Sequence, residues 1–313
     1  MSLALRDDPR ITAETTRRVK ALASSRGYYA DPVVAEGMSR VRRRDFYQET
    51  VVWLLDLSEK KQTWFKKMFA AVTERGRLLG YEIEYCTVDF ENAAQLSRLA
   101  RVWRARGIRG VLIGPLTHAV ADPKLPWGDF SWVTIGHSLR SPALHRAGRD
   151  YDKDIDFALS RLHAQGCTRP GFVDDTTMYH LMGLPMLRAA LVYHHTRGIV
   201  FPEPYFRADL QKLAAFKKWL KTNKPDSLVL SMSFEFRSDE FHRLIAHLPQ
   251  VELSHSNNPQ STRAGFVRNY TGIGHAAISL LHHLLTDGEK GVPDYEQSVV
   301  VSSRWQEGDK FEV

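Results

Sequence analysis

The chain has 313 residues, 43% of them hydrophobic, enough for two ordinary domains, and its longest uncharged apolar runs, VVWLL and VLIGPL, fall far short of the ~20 residues that a membrane crossing needs. Two cysteines, Cys86 and Cys167, exclude a disulfide framework and a four-ligand zinc site, and the charged start MSLALRDDPR argues against an export leader, so a cytoplasmic protein with no membrane partner is expected. The net charge of +7 is uneven: residues 1–44 hold ten Lys or Arg against five acids, a net of +5 that on charge alone fits either a phosphate-contacting segment or a solvated basic tail joined to a near-neutral body.

In chain order, the first predicted element is a helix over about 13–25, with Thr12 as its cap, Glu14 in its first turn, Val19, Ala21 and Leu22 at helical spacing and Gly27 as its stop. Asp31-Pro32 opens a second run, VVAEGMSRV, as a two-turn helix with Pro32 in its first turn, and the charged connector RRRDF follows. From residue 50 onward, apolar runs of strand length alternate with amphipathic stretches of helix length. Strands are predicted at 51–57, 81–88, 110–115, 130–137, 170–175, 227–232, 250–255 and 297–303. Helices are predicted near 62–78, 92–106, 151–165, 184–197, 210–222, 237–247 and 272–287. Val-, Ile- and Leu-rich strands alternating with helices imply an α/β chain whose parallel sheets are covered on both faces. Two doubly wound subdomains fit the length better than one very wide sheet.

Particular stretches resemble the lactose-repressor (LacI/GalR) family of transcription regulators. MSLALRDDPRITAETTRRVKALASSRGYYADP is similar to the second half of that family's helix-turn-helix headpiece, ending at its hinge helix. QTWFKKMFAAVTERGRLLGY, ARGIRGVLIGP, DYDKDIDFALSRLHAQGCTRPGFVDD and GIGHAAISLLHHLLTDGEKGVPDYEQSVVVSSRW resemble successive segments of its body. The resemblance implies a partial headpiece and hinge helix over 1–44 and a periplasmic-binding-protein-like effector-binding and dimerisation domain over 50–313. Within that domain it implies an N-subdomain of about 50–149 plus 272–290 and a C-subdomain of about 150–270 plus 295–313. Family members begin about 20 residues earlier, with the first headpiece helix and most of the recognition helix. A start codon assigned too late is the expected reason, with a true truncation as the alternative.

The resemblance also implies a homodimer on a pseudo-palindromic operator, and residues that touch it. Ser2 and Leu3 correspond to the end of the recognition helix, Thr12 and Thr15 to phosphate-binding hydroxyls that double as helix caps, and Tyr28 to a tyrosine near the DNA backbone, with a hydrophobic contact closing the small headpiece as its alternative role. Pro32, Val33, Gly37 and Met38 fall in the hinge helix. Gly37 stands where the family inserts a leucine wedge into the minor groove, so either Met38 serves as the wedge or the DNA is bent less. For a small-molecule effector, expected to be a sugar or sugar derivative held between the subdomains, the candidates are Asp56, Trp64, Phe65, Asp150 and His255. Carboxylates accept hydroxyl hydrogen bonds and aromatic rings cover apolar sugar faces, although core packing accounts for Phe65 equally well. Two positions depart from the family pattern: Gly183 matches the arginine many sugar-binding members carry before the fifth helix, and ELSHSNN replaces the G-x-D-D turn.

Other signals are weaker. The lone G-x-G-x-x-A of Gly272, Gly274 and Ala277 lacks a βαβ unit and an acid downstream, so no nucleotide cofactor is expected. Adjacent histidines, His194-His195 and His282-His283, point about 100° apart on a helix and cannot share a metal. No nucleophile elbow, P-loop or H-E-x-x-H is present, so an enzyme is not expected, and the competing reading is a cytoplasmic solute sensor that has lost DNA binding.

Overall fold

The computed structural model describes residues 12–25, 49–56, 63–175, 184–208, 213–231, 239–254 and 263–308. The chain falls into two compact units, Met1–Tyr47 and Gln48–Val313. In the first, helix α1 covers Ala13–Ser25, with Glu14 in the first turn where an acid complements the exposed amide ends. Thr12 caps it: its Oγ1 accepts the Thr15 amide at 3.4 Å and donates to Thr15 Oγ1 at 2.9 Å. Arg17, Arg18 and Lys20 on this helix are exposed.

The second unit begins with β1 (Glu49–Asp56), α2 (Thr63–Leu78), β2 (Tyr81–Val88), α3 (Ala93–Ala105) and β3 (Gly110–Ile113). It continues through β4 (Val120–Ala121), a 3-10 turn at Trp127–Asp129, β5 (Ser131–Ile135), β6 (Leu139–Ser141) and β7 (His145–Arg149). A second run of elements follows: α4 (Tyr151–Ala164), β8 (Pro170–Asp175), α5 (Pro185–Thr196), β9 (Tyr205–Ala208), α6 (Leu213–Asn223), β10 (Ser227–Leu230), α7 (Asp239–Ile245), β11 (Gln250–Glu252) and β12 (Ala264–Val267). The chain ends with α8 (Tyr270–Asp287), β13 (Ser298–Val301) and β14 (Arg304–Gln306).

Among the described residues these elements form two six-stranded sheets. The first has the order β13-β7-β5-β3-β1-β2 and every neighbouring pair is parallel. The second has the order β14-β12-β11-β10-β8-β9 and is parallel except for the antiparallel edge strand β14. Beside them, β4 and β6 pair as a small separate sheet.

The sequence explains the layering. In β1 the run Val51–Leu55 has no polar face, because this strand lies inside the sheet with helices on both sides. The edge strand β2 alternates instead, Tyr81 and Ile83 inward and Glu82 outward. One face of the first sheet packs on α2 and α8 through Val51, Trp53, Met68, Val72, Ile278 and Leu281. The other packs on α3 through Leu96, Trp103, Phe130 and Trp132. The second sheet is covered in the same way, by α4 and α5 on one face and by α6 and α7 on the other. Gly272 and Gly274 lie within α8, and a Cβ at Gly274 would sit 3.1 Å from Val72 Cγ2 and 3.2 Å from the Met68 carbonyl, so glycine here permits the close α2–α8 approach.

The architecture is therefore two doubly wound, mainly parallel α/β subdomains, as the alternation of strands and helices implies. One boundary needs correcting. The stretch 295–313, expected wholly with the C-subdomain, is divided: β13 pairs in parallel with β7 in the first sheet, and only β14 joins the second. The reason is continuity, because α8 packs on the first sheet and its chain runs directly onto that sheet's edge before crossing over.

Candidate functional site

The chain passes between the two sheets three times: at Arg149–Tyr151 after β7, at Val267–Tyr270 after β12, and at Val301–Arg304 between β13 and β14. The first two crossings leave from the carboxyl ends of parallel strands, where open α/β sheets hold ligands. Asp150 fixes the first crossing. Its carboxylate caps α4 by accepting the Lys153 amide at 3.0 Å, and its own amide donates to the Val301 carbonyl at 3.1 Å, tying the first crossing to the third.

Around these crossings is a cluster of buried charge. Arg149, 5% exposed, donates from Nε to Asp154 Oδ2 at 2.6 Å, and its guanidinium carbon lies 4.8 Å from the Tyr151 ring centre. Arg149 Nη1 reaches Ser254 Oγ at 3.4 Å. The same hydroxyl accepts Arg268 Nε at 3.0 Å and Arg268 Nη2 at 2.7 Å. Arg268 Nη1 donates to Tyr270 Oη at 3.2 Å, and the Tyr270 ring stacks on Trp64 with 6.3 Å between centres. Arg149 Nη2 is buried and has no hydrogen-bond partner among the described residues, an arrangement that costs roughly 1–3 kcal/mol, and more for a charged group. Burial pulls the Arg149 pKa down, with Tyr151 and Asp154 opposing, but a guanidinium stays protonated at neutral pH.

A second group of polar side chains faces across the same region. His137, just after β5, accepts Arg146 Nη1 at Nδ1 over 3.0 Å, and Arg146 Nη1 also donates to the Gly136 carbonyl at 3.1 Å. Burial first, then Arg146, Arg140 and Arg188, push the His137 pKa down to about 4, against the pull of Asp152. The imidazole is therefore neutral at pH 7, with its proton on Nε2 as the Arg146 contact requires. Arg188 and Asp152, 3.7 Å apart, belong to α5 and α4, so the second subdomain adds two small, opposing influences on a residue of the first, whose neutral form is set chiefly by burial and by Arg146 and Arg140.

At the end of β1, Asp56 is buried and accepts Thr117 Oγ1 at 2.5 Å, while His118 Nδ1 lies 2.6 Å from the same oxygen. Trp53 Nε1 secures the neighbouring loop by donating to the Gly114 carbonyl at 2.6 Å. A cavity of about 330 Å³ on the α2–α8 side, lined by Glu74, Arg75, Leu78, His275, Ala276 and Ser279, draws no residue from the second subdomain and brings none of these groups together.

No protein-family profile and no curated protein sequence matches this chain. Solved structures do match. A transcriptional regulator CelR–cellobiose complex superposes with a TM-score of 0.60 over 97% of this chain and 93% of its own, at 15% identity. A regulatory protein of the LacI family from Chloroflexus aggregans gives 0.63 over 83% and 98%, at 12% identity. The lac repressor dimer bound to operator and the anti-inducer ONPF gives 0.57 over 97% and 92%, at 13% identity. The chain has the LacI-regulator fold.

Within that LacI-type fold, Asp56 lies at a strand end and Asp150 at a crossing, while Trp64, in the first turn of α2, joins the arginine cluster through Tyr270. Phe65 is buried in the first core against Trp53, Phe69 and Tyr85, and packing accounts for it. Thr12 and Thr15 form the α1 cap. Ser2, Leu3, Tyr28, Pro32, Val33, Gly37, Met38, Gly183 and His255 lie outside the described residues. Sequence reasoning did not find Arg149, Ser254, Arg268, His137, Arg146 or Arg188. The available signal was the run of Arg140, Arg146 and Arg149 beside a strand-forming stretch, and Arg188 in the first turn of α5, five residues after the Gly183 matched to the family arginine.

Proposed function

We propose that this chain is a DNA-binding transcription regulator, acting as a homodimer on a two-fold symmetric operator, whose affinity is set by a small polar effector, a sugar or sugar derivative, held between its two subdomains. The observation that carries this reading is the convergence of polar groups from both subdomains, Arg149, Ser254, Arg268 and the His137–Arg188 region, where the chain crosses between them. Groups shared by two hinged bodies are what a ligand needs in order to favour one relative position over another. The capped helix α1, exposing Arg17, Arg18 and Lys20 in the basic first 44 residues, supports a role in contacting DNA phosphates. No catalytic step is assigned.

The test is selection from random duplex DNA at low salt, using the chain with and without any in-frame codons upstream of Met1, followed by titration of small molecules into the selected complex. The expected result is a two-fold symmetric site whose affinity changes roughly 5- to 150-fold on effector binding, the usual range of allosteric coupling. Failure of every chain to enrich a sequence would refute DNA-binding regulation.

A further inference from the structure

We propose that the crossing between the subdomains contains an anion-binding subsite, in which Arg149 and Arg268 hold a carboxylate or phosphate group of the effector. This deepens the ligand-controlled reading above and rests on it.

The charges do not balance as a closed structural cluster would. Two guanidinium groups converge on the Ser254 hydroxyl, and Asp154 bonds to one of them, Arg149, through Nε. Among the described residues, Arg268 bonds only to hydroxyls, Ser254 Oγ and Tyr270 Oη. One positive charge is thus left without a bonded acid among the described residues. The hydrogen bonds do not balance either. Three N–H donors, Arg149 Nη1 at 3.4 Å and Arg268 Nε and Nη2 at 3.0 and 2.7 Å, compete for a single hydroxyl oxygen with two lone pairs. Arg149 Nη2, nine-tenths or more buried, has no acceptor among the described residues. A group with two or more anionic oxygens would supply the charge and the acceptors that a hydroxyl lacks, because the guanidinium fork matches such a group with paired short bonds.

The location fits a ligand. Arg149 ends β7, Ser254 follows β11 and Arg268 follows β12, so all three lie at carboxyl ends of parallel strands drawn from both sheets. The Trp64–Tyr270 stack, linked to Arg268 through the tyrosine hydroxyl, adjoins the subsite and gives binding an optical readout.

The experiment uses the purified full chain at fixed ionic strength. Sodium phosphate, sodium oxalate and, separately, glucose are titrated in place of chloride while tryptophan fluorescence and Tm are followed. Phosphate or oxalate is expected to give a saturable signal that chloride does not, with at least tenfold weaker apparent affinity in Arg268→Gln. Ser254→Asp supplies an internal carboxylate and is expected to raise Tm without added anion and to abolish the response. This second variant keeps the proposal open to refutation if Arg268→Gln does not fold. Equal anion responses in the parent and both variants, or no saturable response to either anion, overturn the proposal. If glucose binds saturably and neither anion does, the anionic class falls while ligand control stands. If none of the three binds, the anion proposal falls and ligand control loses its support as well.

Discussion

Replacing Asp154 with asparagine keeps the shape of the buried Arg149 contact and removes its charge. Both side chains are 3% exposed and the Nε–Oδ2 distance is 2.6 Å, so water does little to screen the change. At an effective dielectric of ~20, unit charges ~4 Å apart interact by about 4 kcal/mol. Removing one member of a buried pair typically costs about 3–5 kcal/mol, because the remaining charge stays desolvated. The asparagine carbonyl still accepts a hydrogen bond and recovers about 1 kcal/mol, leaving a net loss near 3 kcal/mol. For a unit of this size that corresponds to a Tm fall of roughly 6–12 °C by calorimetry or circular dichroism. The double variant Arg149→Met with Asp154→Leu should regain most of the loss, since an apolar pair fits a dry site at least as well as ions do. Its coupling energy in the double-mutant cycle should exceed about 1 kcal/mol. A single variant melting within about 2 °C of the parent, or a double variant no better than the single, would refute an ion pair that stabilises the crossing.

Three further outcomes are expected. His137 titrates near 4 in the folded chain and near 6.5 when unfolded, so between those values the unfolded state binds the extra proton. Stability from this residue is full above pH 6.5 and is lost as the pH falls toward 4, by about 3 kcal/mol in all, and urea unfolding of His137→Gln across this window should lack that part of the slope. Gly265→Ala places a Cβ 2.4 Å from the Glu252 carbonyl oxygen in the adjacent strand, and should destabilise the second sheet by about 3 kcal/mol or more, read as a lowered urea midpoint; a neutral result would mean the β11–β12 spacing relaxes freely. Arg18→Ala should weaken operator binding similarly on all sequences and reduce the magnitude of the log–log salt slope by about 1 in a gel-shift series, whereas an unchanged slope would remove α1 from the phosphate contacts.

Much of this fold is legible because buried parallel strands have nowhere to place polar residues. Val51–Leu55, Gly110–Ile113 and Ser227–Leu230 read directly as interior strands, and the helices between them announce their starts at Asn92, Asp150 and Asn269, each of which accepts an amide in the first turn. Strand β7, HRAGR, escapes that logic although it lies inside the first sheet. Its polar side chains are satisfied by distant partners: His145 by Glu289, 144 positions away, and Arg146 by His137 and a backbone carbonyl. Short strands such as β12, AGFV, carry too little pattern to stand out, and Gly265 there serves a close backbone approach, which periodicity cannot reveal. The site was legible only in outline. Asp56 follows from its position at a strand end and Asp150 from the family resemblance, but Arg149 and Ser254 are 105 residues apart, and no local spacing anticipates their meeting.

The placement of β13 and β14 gives a short stretch of chain an unusual duty. One completes the rim of the first sheet and the other the rim of the second, within the nine residues from Ser298 to Gln306. Removing residues 298–306 would bare the flanks of β7 and β12 together. Two open strand edges on one molecule invite pairing with a neighbour, so deletion of 298–306 should yield aggregates rather than two intact lobes.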